Sequence, residues 1–345
     1  MAERGRAFGR EFYGRQVVMK ELGEKGQRKL AKSSVAVVGL GGLGTASSLY
    51  LALAGVGSLC LIDQDTVELG NLHRQILYTL DDLHYPKVEV AAERLRKANP
   101  TVEVQPVPEN LNVANAEQLL SDVDCVVDGL DNMKTRYLVN RTCIKLGIPY
   151  VFGAAIGLEG NLSVFDPPRT PCLECVLPSV EDSSLLSCDV RGVLGATPGI
   201  VGTLQALETV KVLTGMDTTL KGKLLVCDFS DMYFATVDIV KRDSCLACGV
   251  KPVMPEGGER IAWLCGRKTV NINPAKPLQI SLDEACRLLG KYFRVRVKSR
   301  FAVVFDYGGF EVSLFGGGRM LIKNVEDEKA ALRVYEGVRR KLRAS

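Results

Sequence analysis

A chain of 345 residues with 46% hydrophobic and 24% charged side chains has room for one large domain and a small appendage, and is too apolar to be disordered. It contains no run of 18 apolar residues, and no apolar stretch follows the charged opening Met1-Ala2-Glu3-Arg4, so neither a membrane-spanning helix nor a secretory signal is expected. The formal charge of +4 is uneven: residues 266–345 carry 17 Lys and Arg against 8 Asp and Glu, a basic module on an acidic body that suits an acidic partner.

Residues 1–33 are polar and read as helix with breaks. Ser34–Val38 is a short apolar run, consistent with a buried parallel strand. It leads straight into Gly39-Leu40-Gly41-Gly42-Leu43-Gly44 and then an apolar helix that ends near Gly55. Residues 59–62 form a second strand running into Asp63. Further strands are predicted over 102–104, 123–127, 150–154, 162–165, 224–227 and 236–240, with helices over 87–98 and 134–146 between them. This alternation predicts an α/β fold with a doubly wound, mostly parallel sheet. Another helix is predicted with Thr197 as its cap, Pro198 in its first turn and Gly215 at its end.

Two prolines and two glycines within residues 251–258 mark an exit from this domain. The expected division is therefore a domain over 1–262 and a small basic α+β domain over 266–345. The second domain reads as strand, helix, three strands, helix. Ser281-x-x-Glu284 supplies a capping box, and glycine-rich turns fall at 308–309 and 316–318.

Gly39, Gly41 and Gly44 fit G-x-G-x-x-G between a strand and a helix, where backbone N–H groups can approach a phosphate closely. Asp63 lies 19 residues beyond Gly44 at a strand end, placed to accept hydrogen bonds from ribose hydroxyls. That pair alone means a nucleotide with a ribose, and a NAD-dependent dehydrogenase is its default reading. Arg74 and Lys87 follow soon after the acid. Two cations suit the charge of a triphosphate better than a pyrophosphate already seated on a helix dipole, although either could be an ordinary surface charge. Asp131 follows an apolar strand, where it could hold Mg²⁺ or cap a helix.

Eleven cysteines, an odd number spread through the chain, fit a reducing, cytoplasmic setting better than a disulfide framework. Cys172-x-x-Cys175 and Cys245-x-x-Cys248 are two pairs with the spacing of a closed structural Zn²⁺ site. With 69 residues between the pairs, such a site would pin distant parts of one domain; two redox dithiols are the rival reading. Cys188 differs from both. It lies in a polar, glycine-bearing segment with Arg191 nearby, so it is either a nucleophile of lowered pKa or an inert loop thiol.

Together these residues resemble the ThiF/MoeB/HesA family, the ubiquitin-activating-enzyme-like adenylyltransferases. The resemblance covers roughly residues 10–250. It rests, in family order, on Tyr13-Gly14-Arg15-Gln16, the glycine turn, Asp63-Gln64-Asp65, Asn71-Leu72-His73-Arg74-Gln75, Pro86-Lys87, Asp131-Asn132, both cysteine pairs and the Cys188 segment. It implies a Rossmann-like adenylation domain that uses ATP and Mg²⁺ to form an acyl-adenylate on the terminal Gly-Gly of a ubiquitin-like or sulfur-carrier protein.

On that resemblance Gly39, Gly41, Gly42 and Gly44 cradle phosphate, while Asp63 holds the ribose with Asp65 beside it. Asn71, Arg74, Gln75 and Lys87 neutralise the triphosphate. Asp131, next to Asn132, binds Mg²⁺, and Arg15 is lent across a two-fold homodimer. The Cys188 segment resembles the family's crossover loop. In some members a cysteine there attacks the acyl-adenylate to give a thioester or persulfide; others stop at adenylation. Against the family pattern, neither an inserted full-size cysteine domain nor a following rhodanese domain is expected. Instead, the basic module is similar to the small ubiquitin-fold domain through which activating enzymes recruit a conjugating enzyme. Two other readings keep the fold: activation of a carboxylate on modified tRNA, which the basic module suits, and a non-catalytic binding subunit.

Overall fold

The computed structural model describes residue 9 and residues 11–182, 191–250, 261–264 and 268–343. The expected exit at 251–258 and Cys188 lie outside the described residues.

Eight strands build the first sheet: β1 (Ser34–Val38), β2 (Ser58–Ile62), β3 (Glu103–Val107), β4 (Cys125–Asp128), β5 (Tyr150–Ile156), β6 (Glu159–Phe165), β7 (Lys223–Asp228) and β8 (Tyr233–Asp238). Their spatial order is β3-β2-β1-β4-β5-β6-β7-β8, parallel from β3 to β5 and antiparallel from there to β8. The strand order reverses between β1 and β4, so their carboxyl ends open a crevice where such sheets bind ligands.

The apolar run of β1 is buried on both faces. Val35 and Val37 join one core with Leu59, Leu61, Leu51 and Leu95, while Ala36 and Val38 join the other with Cys60, Ile62, Val126 and Val139. Period-two alternation sends the two sets to opposite faces, each covered by helices. The helices that matter below are α1 (Gly14–Val17), α2 (Gly42–Ala54), α3 (Lys87–Ala98), α4 (Met133–Leu146) and α5 (Ala196–Thr214). α5 ends at Gly215 in the left-handed conformation, as expected. Its cap is Gly195, however, and Thr197 is the second helical residue, its hydroxyl donating to the Gly157 carbonyl at 2.9 Å.

The second domain holds β9 (Ile261–Trp263), β10 (Thr269–Ile272), α6 (Leu282–Leu289), β11 (Val295–Lys298), β12 (Ala302–Tyr307), β13 (Phe310–Phe315), β14 (Met320–Lys323) and α7 (Glu328–Arg343). Four strands follow α6, not the three expected, and β9 already belongs to this sheet although it precedes residue 266. Every neighbouring pair in the order β11-β12-β13-β14-β10-β9 is antiparallel. One face, with Val270, Ile272, Val312, Leu314 and Ile322, packs on α6 and α7. The alternate positions Asn271, Glu311, Ser313 and Lys323 are polar and also buried, because that face turns toward the first domain.

Candidate functional site

The β1–α2 turn shows why glycine is required there. Gly39 has φ 90°, and a Cβ on it would lie 2.6 Å from the Gly129 carbonyl oxygen. A Cβ on Gly44 would fall 1.9 Å from the Gly39 oxygen, so helix, turn and the end of β4 touch backbone to backbone. The first turn of α2 carries no acidic side chain, and Gly41 and Gly42 open on a cavity of about 450 Å³. A helix start of this kind suits an anion.

Asp63, just past β2, faces the same cavity. Its carboxylate accepts from the backbone N–H of Leu40 at 2.6 Å and of Asp65 at 2.7 Å. Burial pushes this carboxyl above its usual range, against the pull of Lys87. Lys87, buried at the start of α3, places Nζ 3.1 Å from Asp65 Oδ2, and its backbone N–H donates to the Asp65 carbonyl at 2.9 Å. The Asp63-Gln64-Asp65 turn and Pro86-Lys87 are thus knitted together.

Arg74 and Gln75 line the cavity from a neighbouring loop, and the Arg74 guanidinium donates to the Gly70 carbonyl at 2.7 Å. Gln75 is buried, with no hydrogen-bond partner among the described residues for its side-chain carbonyl oxygen. Asn71 is buried in the same state but sits behind the lining.

At the β4 end two acids divide their work. Asp131 is exposed at the cavity lining, and Asn132, not Asp131, caps α4 by accepting from Thr135 N–H at 2.9 Å. Asp128, the last residue of β4, is fully buried. It accepts from Arg136 Nε at 3.0 Å, Tyr150 Oη at 2.6 Å and Leu130 N–H at 2.8 Å. The Arg136 guanidinium also donates to the carbonyls of Leu130 and Gly153, at 2.7 and 2.9 Å. This network fixes the loop that carries Asp131, and sequence reasoning missed it. Its signal was present: Asp128 belongs to the strand itself and must point inward, whereas an acid three residues later has left the sheet. Gln64, Glu109 and Asn110 also line the cavity and were missed, the last two because nothing marks the loop after β3.

The structure therefore gathers Gly39, Gly41, Gly42, Asp63, Asp65, Arg74, Gln75, Lys87, Asp131 and Asn132 around one cavity. Gly44 and Asn71 support the lining from behind. Arg15 lies on α1, exposed and away from this cavity. Arg191, expected beside the Cys188 thiol, pairs with Glu159 at 2.6 Å.

The four expected metal-binding cysteines form one cluster, all Sγ atoms within 4.8 Å of one another. Cys172 lies 3.6 Å from Cys245 and Cys175 lies 3.5 Å from Cys248. Sulfurs about 2.3 Å from a tetrahedral Zn²⁺ stand roughly 3.8 Å apart, so the thiols fit that ion. A single cluster also replaces the alternative of two separate dithiols. Around it, Glu174 accepts from Arg141 at 2.6 and 2.9 Å and from Asn140 at 3.1 Å, tying the first knuckle to α4. Arg242, from the second knuckle's segment, donates to the Glu174 carbonyl.

The ThiF family profile matches residues 13–248, more than half of the sequence. The chain belongs to the ThiF family. Among relatives of this ThiF-family chain, the sulfur carrier protein adenylyltransferase of Thermus thermophilus is 41% identical over 250 residues, 71% of this chain and 92% of that one. The adenylyltransferase and sulfurtransferase MOCS3 of Culex quinquefasciatus is 43% identical over 242 residues, 70% of this chain and 55% of its own length. The chain thus spans about half the length of MOCS3. E. coli MccB, solved with ATP, superposes with a TM-score of 0.58 at 23% identity over 65% of this chain and 69% of MccB, a likeness of fold. The ThiF match ends before the second domain begins.

Proposed function

We propose that the chain uses ATP to adenylate the C-terminal carboxylate of a ubiquitin-like or sulfur-carrier protein. The observation that carries this reading is the convergence of a glycine turn, Asp63, Arg74, Lys87 and Asp131 on one cavity. In this reading the α2 start and Arg74 receive phosphate oxygens, Lys87 turns from Asp65 toward them, and Asp63 accepts from the ribose. A Mg²⁺ ion held at Asp131 would supply further neutralisation of the phosphates. The substrate carboxylate oxygen attacks the α-phosphorus, the bond to the β-phosphate oxygen breaks, and pyrophosphate leaves. The protein's part is positioning and charge stabilisation, with no covalent bond to its own groups in this step. Cys188 then attacks the acyl carbon and AMP departs, in the branch of the family's chemistry that ends in a thioester.

A protein substrate is supported by the edge strand β8. Met232, just before the strand, and Tyr233, Phe234 and Val237 within it are 68%, 61%, 47% and 54% exposed, an apolar edge suited to another sheet. Zinc held by the four cysteines would tie the two knuckles together. The exposed Arg15 is the group a second subunit would receive, which fits a homodimer. No helix among the described residues is long and apolar enough to cross a membrane, and the buried thiols suit a cytoplasmic setting.

The deciding experiment is pyrophosphate–ATP exchange with candidate ubiquitin-fold proteins, intact and lacking their terminal Gly-Gly. Exchange is expected with the intact protein alone; exchange that survives removal of the glycines refutes the reading. Cys188→Ala is expected to keep exchange and to lose any reducible covalent adduct.

A further inference from the structure

The second domain docks on the first through polar contacts, one of them an ion pair of a basic residue with a first-domain acid. Lys323, at the end of β14, donates to Thr66 Oγ1 at 2.8 Å and pairs with Glu68 at 2.8 Å and Glu311 at 2.9 Å. Glu311 in turn pairs with Arg296 at 3.2 Å and approaches His84 at 2.9 Å, and the Arg300 N–H donates to Glu89 on α3 at 3.1 Å. Thr66, Glu68, His84 and Glu89 all belong to the segments that follow β2 and begin α3, which also carry Asp63, Asp65 and Lys87.

Arg319 goes deepest. Its guanidinium donates to the Gln64 carbonyl through both terminal nitrogens at 3.2 Å, to the Pro108 carbonyl at 2.8 Å and to Asn271 Oδ1 at 2.8 Å. The Phe315 ring closes over it, 3.6 Å from guanidinium carbon to centroid. Gln64 stands between Asp63 and Asp65, and Pro108 follows the last residue of β3. One planar fork therefore clamps the loops after β2 and β3 from outside the family domain. A guanidinium can bridge carbonyls in this way because its donors diverge in a fixed plane; an ammonium cannot reproduce it. Aspartates 65 and 63 and Glu109 are the acids whose field it feels, and all three line the cavity.

We propose that Arg319 is a positioning residue for nucleotide binding: through it, the C-terminal domain sets the Asp63-Gln64-Asp65 turn against the ribose hydroxyls. This rests on reading the cavity as an ATP site with Asp63 at the ribose. The domain is then a working part of the adenylation site, whatever else its outer surface meets.

The test compares the full chain with Arg319→Met, Arg319→Lys and Lys323→Met, using direct binding of ATP and of 2′,3′-dideoxy-ATP. Arg319→Met is expected to weaken ATP about tenfold, the loss of a charge-assisted hydrogen bond at Asp63, and to leave dideoxy-ATP unchanged. Arg319→Lys, which puts an ammonium in place of the guanidinium, should fall between. Lys323→Met breaks a docking contact without touching the turn and should leave the ratio of the two affinities intact. An equal change in both nucleotides, no change, or the same altered ratio in Lys323→Met overturns the proposal. Wild-type protein that binds ATP and dideoxy-ATP equally also overturns it while leaving adenylation standing. Wild-type protein that binds neither removes the reading of the cavity as well.

Discussion

The Nζ of Lys87 lies 3.1 Å from Oδ2 of Asp65, and the same lysine pulls down the pKa of neighbouring Asp63. Burial nevertheless leaves the Asp63 carboxyl above the ordinary value of about 4. Its ionised form accepts from ribose, so ATP affinity should be full above the raised pKa and fall as pH drops through it. Lys87→Met should move that fall to higher pH, because the lysine's opposing pull is gone. Calorimetric binding between pH 8 and 4.5 reads the midpoint. An Asp63→Asn variant with the same pH dependence would show that the titrating group lies elsewhere.

Arg136 and Asp128 form a buried ion pair at 3.0 Å. Removing one partner leaves an uncompensated buried charge, which costs about 3–5 kcal/mol. Arg136→Met should therefore unfold at much lower urea, whereas Tyr150→Phe should cost only about 1–3 kcal/mol for its lost bond. The Asp128→Asn, Arg136→Met double variant should recover part of the loss. Additive losses in the double variant would argue that the pair is not coupled.

The purified chain should contain one zinc per molecule by elemental analysis. Cys172→Ser or Cys245→Ser should lose it and lower the melting temperature by roughly 5–10 °C, given that ~1 kcal/mol moves Tm by about 2–4 °C in a domain of this size. Retention of a full equivalent of metal in either variant would disprove the four-thiolate site.

If Arg15 serves a neighbouring subunit, two dead variants should repair each other. Arg15→Ala and Asp131→Ala, each inactive in exchange, should recover about a quarter of wild-type activity when mixed equally and allowed to re-pair, since half the dimers then hold one intact site. No recovery after verified subunit exchange would place Arg15 in its own chain's chemistry or in none.

Much of this site could be read before any coordinates because its parts lie on a strictly periodic scaffold. A buried apolar strand, a glycine turn and an acid after the next strand have sequence spacings set by strand and helix lengths, so Gly39, Gly41 and Asp63 could be expected near one another, and all three line the cavity. The cysteine pairs were legible for a different reason: a knuckle's spacing is local even when its partner lies 69 residues away. What escaped notice depends on direction. Asp128 and Asp131 end the same apolar run, and only their three-residue offset separates the acid inside the sheet from the one at the cavity lining. Arg319 had no local signal at all, since its partners are carbonyls of residues 64 and 108, which any sequence would supply. The basic module's surplus suggested an acidic partner; within the chain, Lys323 meets Glu68 and Arg319 meets carbonyls of the first domain.

Gly129 extends the glycine turn beyond its motif. A Cβ there would stand 2.1 Å from the Gly39 oxygen and 3.1 Å from the Gly44 Cα. Three backbones separated by up to 90 positions along the chain therefore share one point of contact. A lineage that accepted even an alanine at 129 would have to rebuild residues 39–44 in the same step, so the two stretches can drift only as a pair.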